Sequence, residues 1–148
     1  MIQFLTYDNN QVLVPFDLSA LGFEPRHIMR WIRAVAADYN FSIGNITYIL
    51  CNDEKILAVN REFLQHDYYT DVITFDYTTA SCLNGDIFIS EDTVRSNAAM
   101  VGTDYPNELL RILIHGILHL TGQGDKTPES KTEMTRKEDL ALGKQGYL

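Results

Sequence analysis

At 148 residues with 45% hydrophobic side chains, the chain has the size of one ordinary globular domain, residues 1–148, around a single core. A net charge of −8 opposes diffuse binding to nucleic acid, whose affinity comes chiefly from neutralised phosphates, so an RNA partner needs a local basic patch and no DNA partner is expected. With no apolar run of the ~20 residues that span a bilayer, no signal-peptide pattern in MIQFLTYDNN, and only Cys51 and Cys82 as thiols, a cytoplasmic protein with no membrane partner is expected.

In chain order, a short strand IQFL precedes an irregular stretch containing Pro15. The first helix runs from about Pro25 to Tyr39, with Arg26, Arg30 and Arg33 on one face and Ile28, Trp31, Ile32 and Val35 on the other. The basic face reads as solvated surface or, alternatively, as an RNA-contacting patch. FSIGNITYILC is β-branched and aromatic, a strand with a bulge or turn at Gly44-Asn45. DEKILAVNREFLQ reads as a helix whose apolar face holds Ile56, Val59 and Phe63, with Leu64 beside them. The strands DVITFDY and DIFIS are joined by TTASCLNG, and Asn84-Gly85 is the turn signal of an expected hairpin.

Three helices follow. Ser90 with Glu91 and Asp92 opens the first, which ends near Gly102. DYPNELLRILIHGILHLTG is the second, with Pro106 and Glu108 in its first turn and Gly122 as its stop. In TPESKTEMTRKEDLALG, Thr127 is the expected N-cap, Pro128 the first helical residue and Gly143 the terminator. Strands grouped early and helices late predict an α+β fold, a small mixed sheet packed with helices.

The chemistry is concentrated in IHGILHLTGQGD, residues 114–125. Side chains four apart share a helix face about 5–6 Å apart, so His115 and His119 can aim nitrogens at one ion. A helix continued ten residues beyond His115 would carry Asp125 about 15 Å along the axis. Gly122 and Gly124 can each adopt positive φ and let the chain fold Asp125 back as a third ligand. The bland alternative is two accommodated core histidines, which side by side and unpartnered would cost on the order of a few kcal/mol. The spacing is zincin-like and looks like the metzincin pattern. Gly116, however, stands where those peptidases have their glutamate base, and Asp125 replaces the third histidine, so a metallopeptidase is the weaker functional reading.

These residues resemble the YbeY family of metal-dependent endoribonucleases, which act in bacterial ribosomal RNA maturation. HGILHLTG matches the family's H-G-x-L-H-L-x-G, GDIFIS its G-D-I-x-I-S strand, and VNREFLQHDYYTDVITF its segment ending T-D-V-L-S-F. Two positions depart: Asp125 stands where the family usually has histidine, and Leu64 where it has arginine, with Arg61 one turn earlier as a candidate substitute. The resemblance implies one divalent ion, zinc first, held by His115, His119 and Asp125, with harder ions made more competitive by the carboxylate. It implies single-strand-specific cleavage of ribosomal RNA in maturation and quality control, with the small ribosomal subunit as partner. The nucleophile is then metal-activated water or the RNA's own 2′-OH. Asp71 and Asp86 are candidates to orient water or ligand, beside the plainer role of capping strand ends. A non-catalytic ribosome-assembly factor with a structural metal is the alternative from another class.

Overall fold

The computed structural model describes residues 1–64 and 72–144. Its strands are β1 (Ile2–Tyr7), β2 (Leu13–Pro15), β3 (Ser42–Cys51), β4 (Val72–Asp76) and β5 (Cys82–Ser90). Its α-helices are α1 (Pro25–Asp38), α2 (Asp53–Val59), α3 (Glu91–Val101), α4 (Tyr105–Leu120) and α5 (Pro128–Lys144). The strands form one mixed sheet in the order β2-β1-β3-β5-β4. The central β1, β3 and β5 run parallel, while β2 and β4 pair antiparallel at the edges. The α+β expectation holds.

Alternation along the strands sorts side chains to two faces. Phe4, Ile46, Tyr48, Leu50, Leu83 and Ile87 join Trp31, Ile32 and Val35 of α1 and Leu109, Leu113 and Ile117 of α4 in the main core. On the opposite face, Ile56 and Val59 of α2 pack with Cys51 and Ile73, flanked by Tyr7, Phe75 and Phe88. Buried polar groups tie the layers: the Tyr48 hydroxyl donates to the Leu113 carbonyl at 2.8 Å, and Trp31 Nε1 donates to the Ala141 carbonyl at 2.7 Å. The first bond fixes α4 over the middle of β3, the second α5 against α1.

Local signals set most boundaries. Asp104 accepts from the Asn107 amide at 2.9 Å and starts α4, and Ser90 caps α3. Thr127 Oγ1 accepts from the Ser130 amide at 3.1 Å, as its predicted N-cap role requires. The register of β3 against β5 shifts between Ile43 and Ile46, the bulge expected at Gly44-Asn45.

Four local expectations need correction. The β4–β5 hairpin forms, but Asn84 and Gly85 lie within β5, and the chain reverses before Cys82, with Ala80 at φ 51°. Gly85 is instead a close-packing residue, since a Cβ there would sit 2.7 Å from the Phe75 carbonyl oxygen and 3.2 Å from Leu120 Cδ2. Gly143 does not end α5, which continues to Lys144. The stretch around Pro15 is ordered as β2, with Pro15 opposite Leu5 on an edge where a missing amide is tolerated. Phe63 is 61% exposed, because α2 widens into a π-helical turn over Asn60–Leu64. The wider turn rotates later residues off the buried stripe, and Asn60, 2% exposed, lies buried there.

Candidate metal centre

The site is built at the C-terminal end of α4. His115 and His119 lie one turn apart, with ring centroids 4.5 Å apart and planes at 87°. The helix then closes with a Schellman arrangement: the Gln123 amide donates to the Leu118 carbonyl at 3.1 Å and the Gly122 amide to the His119 carbonyl at 3.0 Å. Gly122 supplies the required left-handed conformation at φ 102°, and Gly124 does not share that role. This turn folds Asp125 back over the helix end. Its Oδ2 lies 3.5 Å from His115 Nε2 and 3.4 Å from His119 Nε2.

Each imidazole is held from its far side. His115 Nδ1 lies 2.6 Å from Glu138 Oε2, and His119 Nδ1 lies 3.0 Å from the Gln123 carbonyl oxygen. A carboxylate and a carbonyl only accept, so each Nδ1 donates, and the two Nε2 atoms that face Asp125 are the nitrogens that would ligate a cation. The His119 pKa is lowered, first by burial and then by the neighbouring His115, which favours the neutral, ligating form. The three ligand atoms lie within 4.8 Å of one another and could hold a metal ion. A tetrahedral centre with bonds of about 2.0–2.2 Å has edges of roughly 3.3–3.6 Å. The two nitrogen-to-carboxylate separations match such edges, so the donor set fits a divalent ion.

Glu138 was not legible as part of this site from the sequence. It comes from α5 and is 7% exposed. Its other oxygen, Oε1, accepts from Arg111 Nη1 at 2.8 Å, while Arg111 Nη2 donates to Asp139 at 2.7 Å. The available signal was an acid at the centre of the stripe Met134, Glu138, Ala141, whose neighbours are buried and apolar.

The remaining candidates stand apart from the cluster. Asp86 follows Gly85, whose Cβ position meets Leu120 of α4, so the Asp86 side chain projects from the opposite face of the sheet. There it pairs opposite Phe75 and hydrogen-bonds the Tyr77 hydroxyl. Arg26, Arg30 and Arg33 are exposed along α1, and Arg61 is exposed in the π-helical turn. Asp71 lies outside the described residues. No helix among the described residues is long and apolar enough to cross a membrane.

A family model described as Endoribonuclease YbeY matches residues 18–146. The chain is 52% identical over 126 residues to the endoribonuclease YbeY of Parabacteroides distasonis, covering 85% of this chain and 89% of that protein. It is 49% identical over 138 residues to the Bacteroides thetaiotaomicron protein of the same name, covering 93% and 96%. The solution structure of TM1509 from Thermotoga maritima shares the fold, with a TM-score of 0.64 at 23% identity over 98% of this chain and 89% of that one. A family model spanning most of the sequence, and relatives matched over nearly their whole length at about half identity, make this chain a member of the YbeY family.

Proposed function

We propose that this chain is a metal-dependent endoribonuclease that cleaves single-stranded RNA during ribosomal RNA maturation and quality control. Residues 1–148 act as one hydrolase domain in the cytoplasm, with the small ribosomal subunit as its natural context. The observation that carries the reading is the convergence of His115 Nε2, His119 Nε2 and Asp125 Oδ2 at the end of α4, in a chain matched over most of its length by relatives named as endoribonucleases.

His115, His119 and Asp125 would hold one divalent ion, with zinc first for two imidazoles and a carboxylate. A bound ion of this kind lowers the pKa of its water toward about 7 and offsets charge on a phosphate oxygen. The chain supplies the rest. Burial lowers the His119 pKa and favours its neutral form, the Gln123 carbonyl fixes its ring, and Asp125 brings one negative charge that tempers the Lewis acidity of the centre. Arg61 and the α1 arginines Arg26, Arg30 and Arg33 are the cations assigned to the RNA backbone, local positive charge that the net −8 demands. A peptidase mechanism lacks its proton acceptor, because Gly116 packs against Ile87 where that mechanism needs a glutamate.

The test is cleavage of a labelled single-stranded RNA by purified protein, with chelator and with zinc restored, beside His119→Ala and Asp125→Ala. Cleavage that disappears with chelator, returns with metal and is absent from both variants supports the assignment. Cleavage undiminished in His119→Ala places the activity elsewhere.

A further inference from the structure

Glu138 and Arg111 take no part in the ligand set, yet they occupy an unusual position for charged groups. Glu138 sits on the buried stripe of α5 between Met134 and Ala141, where a leucine would continue the apolar packing. A buried carboxylate at such a position is a poor stabilising device in itself, since an apolar residue of similar size is often as good or better. What it faces explains it. One oxygen accepts from His115 Nδ1 at 2.6 Å and the other from Arg111 Nη1 at 2.8 Å. Arg111 is anchored a second time through Nη2 to Asp139, the next residue of α5, at 2.7 Å. Arg111 and His115 are also one turn apart on α4, so a single carboxylate from α5 bridges two successive turns of the histidine helix.

We propose that Glu138 is a positioning residue for the metal centre, held in place by Arg111. It fixes the His115 imidazole in its Nδ1–H tautomer with Nε2 aimed at Asp125, and so makes metal affinity depend on the docking of α5. The proposal rests on His115, His119 and Asp125 being the metal ligands.

The physical basis is the direction of the proton. Only with the proton on Nδ1 does His115 present a lone pair at Nε2, and a neutral imidazole in water is free to hold it on either nitrogen. The Glu138 carboxylate accepts one proton and offers none, so it selects the ligating tautomer, restricts rotation of the ring and raises its basicity toward a cation. His119 obtains the same selection from a backbone carbonyl of its own turn. His115 lies farther inside the helix, one turn before the chain leaves it, and takes its acceptor from another element 23 residues away. The two ligands are therefore fixed by different means, one local and one dependent on tertiary packing.

A competing account makes Arg111–Glu138 only a clamp that pins α5 to α4. The two accounts separate in measurements on metal-free protein followed by zinc titration against a competing chromophoric chelator. Glu138→Gln keeps the size of the side chain and removes the charge and the obligate acceptor. We expect it to fold, to bind zinc roughly 10- to 100-fold more weakly, and to lose the protonated Nδ1 signal of His115 in nitrogen-resolved NMR of histidine-labelled protein.

Glu138→Asp, shorter by one methylene but still charged, is the second variant. It should retain the pairing charge for Arg111 while losing contact with Nδ1, and so weaken zinc as well. If Glu138→Gln and Glu138→Asp are folded, bind zinc as tightly as the parent and leave the His115 tautomer unchanged, the positioning role is overturned and the clamp account stands. A parent protein that binds no zinc overturns the metal reading itself, an outcome distinct from equal binding by parent and variants.

Discussion

Gly116 and Ile87 meet where α4 crosses β5. A Cβ on Gly116 would lie 2.9 Å from Ile87 Cδ1 and 3.0 Å from its Cγ2. Ile87 is fully buried and has no open side toward which to withdraw. The glycine after the first histidine is therefore a contact residue between helix and sheet, and the glutamate of the peptidase pattern has no room there. Gly116→Glu should overpack the interface and bury an unpaired charge, costing about 3 kcal/mol or more, equivalent to a fall in Tm of roughly 10 °C for a chain of this size. Calorimetry of parent and variant checks this. An unchanged midpoint would mean that α4 can move off the sheet and that Gly116 is not constrained by Ile87.

The ligand set gives a second expectation. Elemental mass spectrometry on untagged protein prepared without chelator should find about one ion per chain, lost in His115→Ala, His119→Ala and Asp125→Ala. Asp125→His removes a carboxylate and supplies a third imidazole, so it should increase the preference for zinc over manganese or magnesium in competition experiments. Full metal content in Asp125→Ala would place the third ligand outside the cluster that the turn at Gly122 assembles.

Much of this site could be read from the sequence because its parts are close along the chain. The four-residue histidine spacing, Gly122 as the helix stop and Asp125 just beyond it are coupled by one helix end, where short-range geometry decides the outcome. Glu138 depends on how α5 packs on α4, and a local pattern shows only a charged residue within an apolar stripe. Gly85 illustrates the reverse error. Asn-Gly is a genuine turn signal, but here the glycine answers to Leu120 and the Phe75 carbonyl, which lie elsewhere in the chain. A regular period of 3.6 puts Phe63 on the buried face, and the π-helical turn from Asn60 breaks that period. The parallel order of β1, β3 and β5 likewise has no local signature, whereas the caps Asp104, Ser90 and Thr127 do.

The basic face of α1 makes a prediction about salt. Arg26, Arg30 and Arg33 are exposed while Ile28, Trp31, Ile32 and Val35 are buried, so their charge is available to a backbone phosphate. Replacing all three with glutamine should leave the fold intact and weaken binding to single-stranded RNA. If each arginine neutralises one phosphate, the slope of log K against log salt should shrink by about 2, at ~0.7 per contact. Filter binding or anisotropy across a salt series measures it. An unaltered slope would assign this face to solvent alone.

Cys51 lies buried at the end of β3. Burial is the main cause that pushes its thiol pKa from 9.0 to about 12, with the Glu91 carboxylate adding to the rise and Lys55 opposing it. The thiol also points at the Ile89 carbonyl, 3.5 Å away, an acceptor that favours S–H over the thiolate. At pH 8 the thiolate population is then lower than that of an ordinary cysteine by roughly a thousandfold. Iodoacetamide should leave Cys51 unmodified in the folded chain and alkylate it on unfolding, while the partly exposed Cys82 reacts in both states. A folded pKa raised above the unfolded value gives stability that is complete below about pH 9 and is lost as pH rises toward 12. Unfolding midpoints from pH 8 to 11 should therefore fall more steeply in the parent than in Cys51→Ala. Rapid alkylation of Cys51 in folded protein, or parallel pH curves for parent and variant, would contradict this burial.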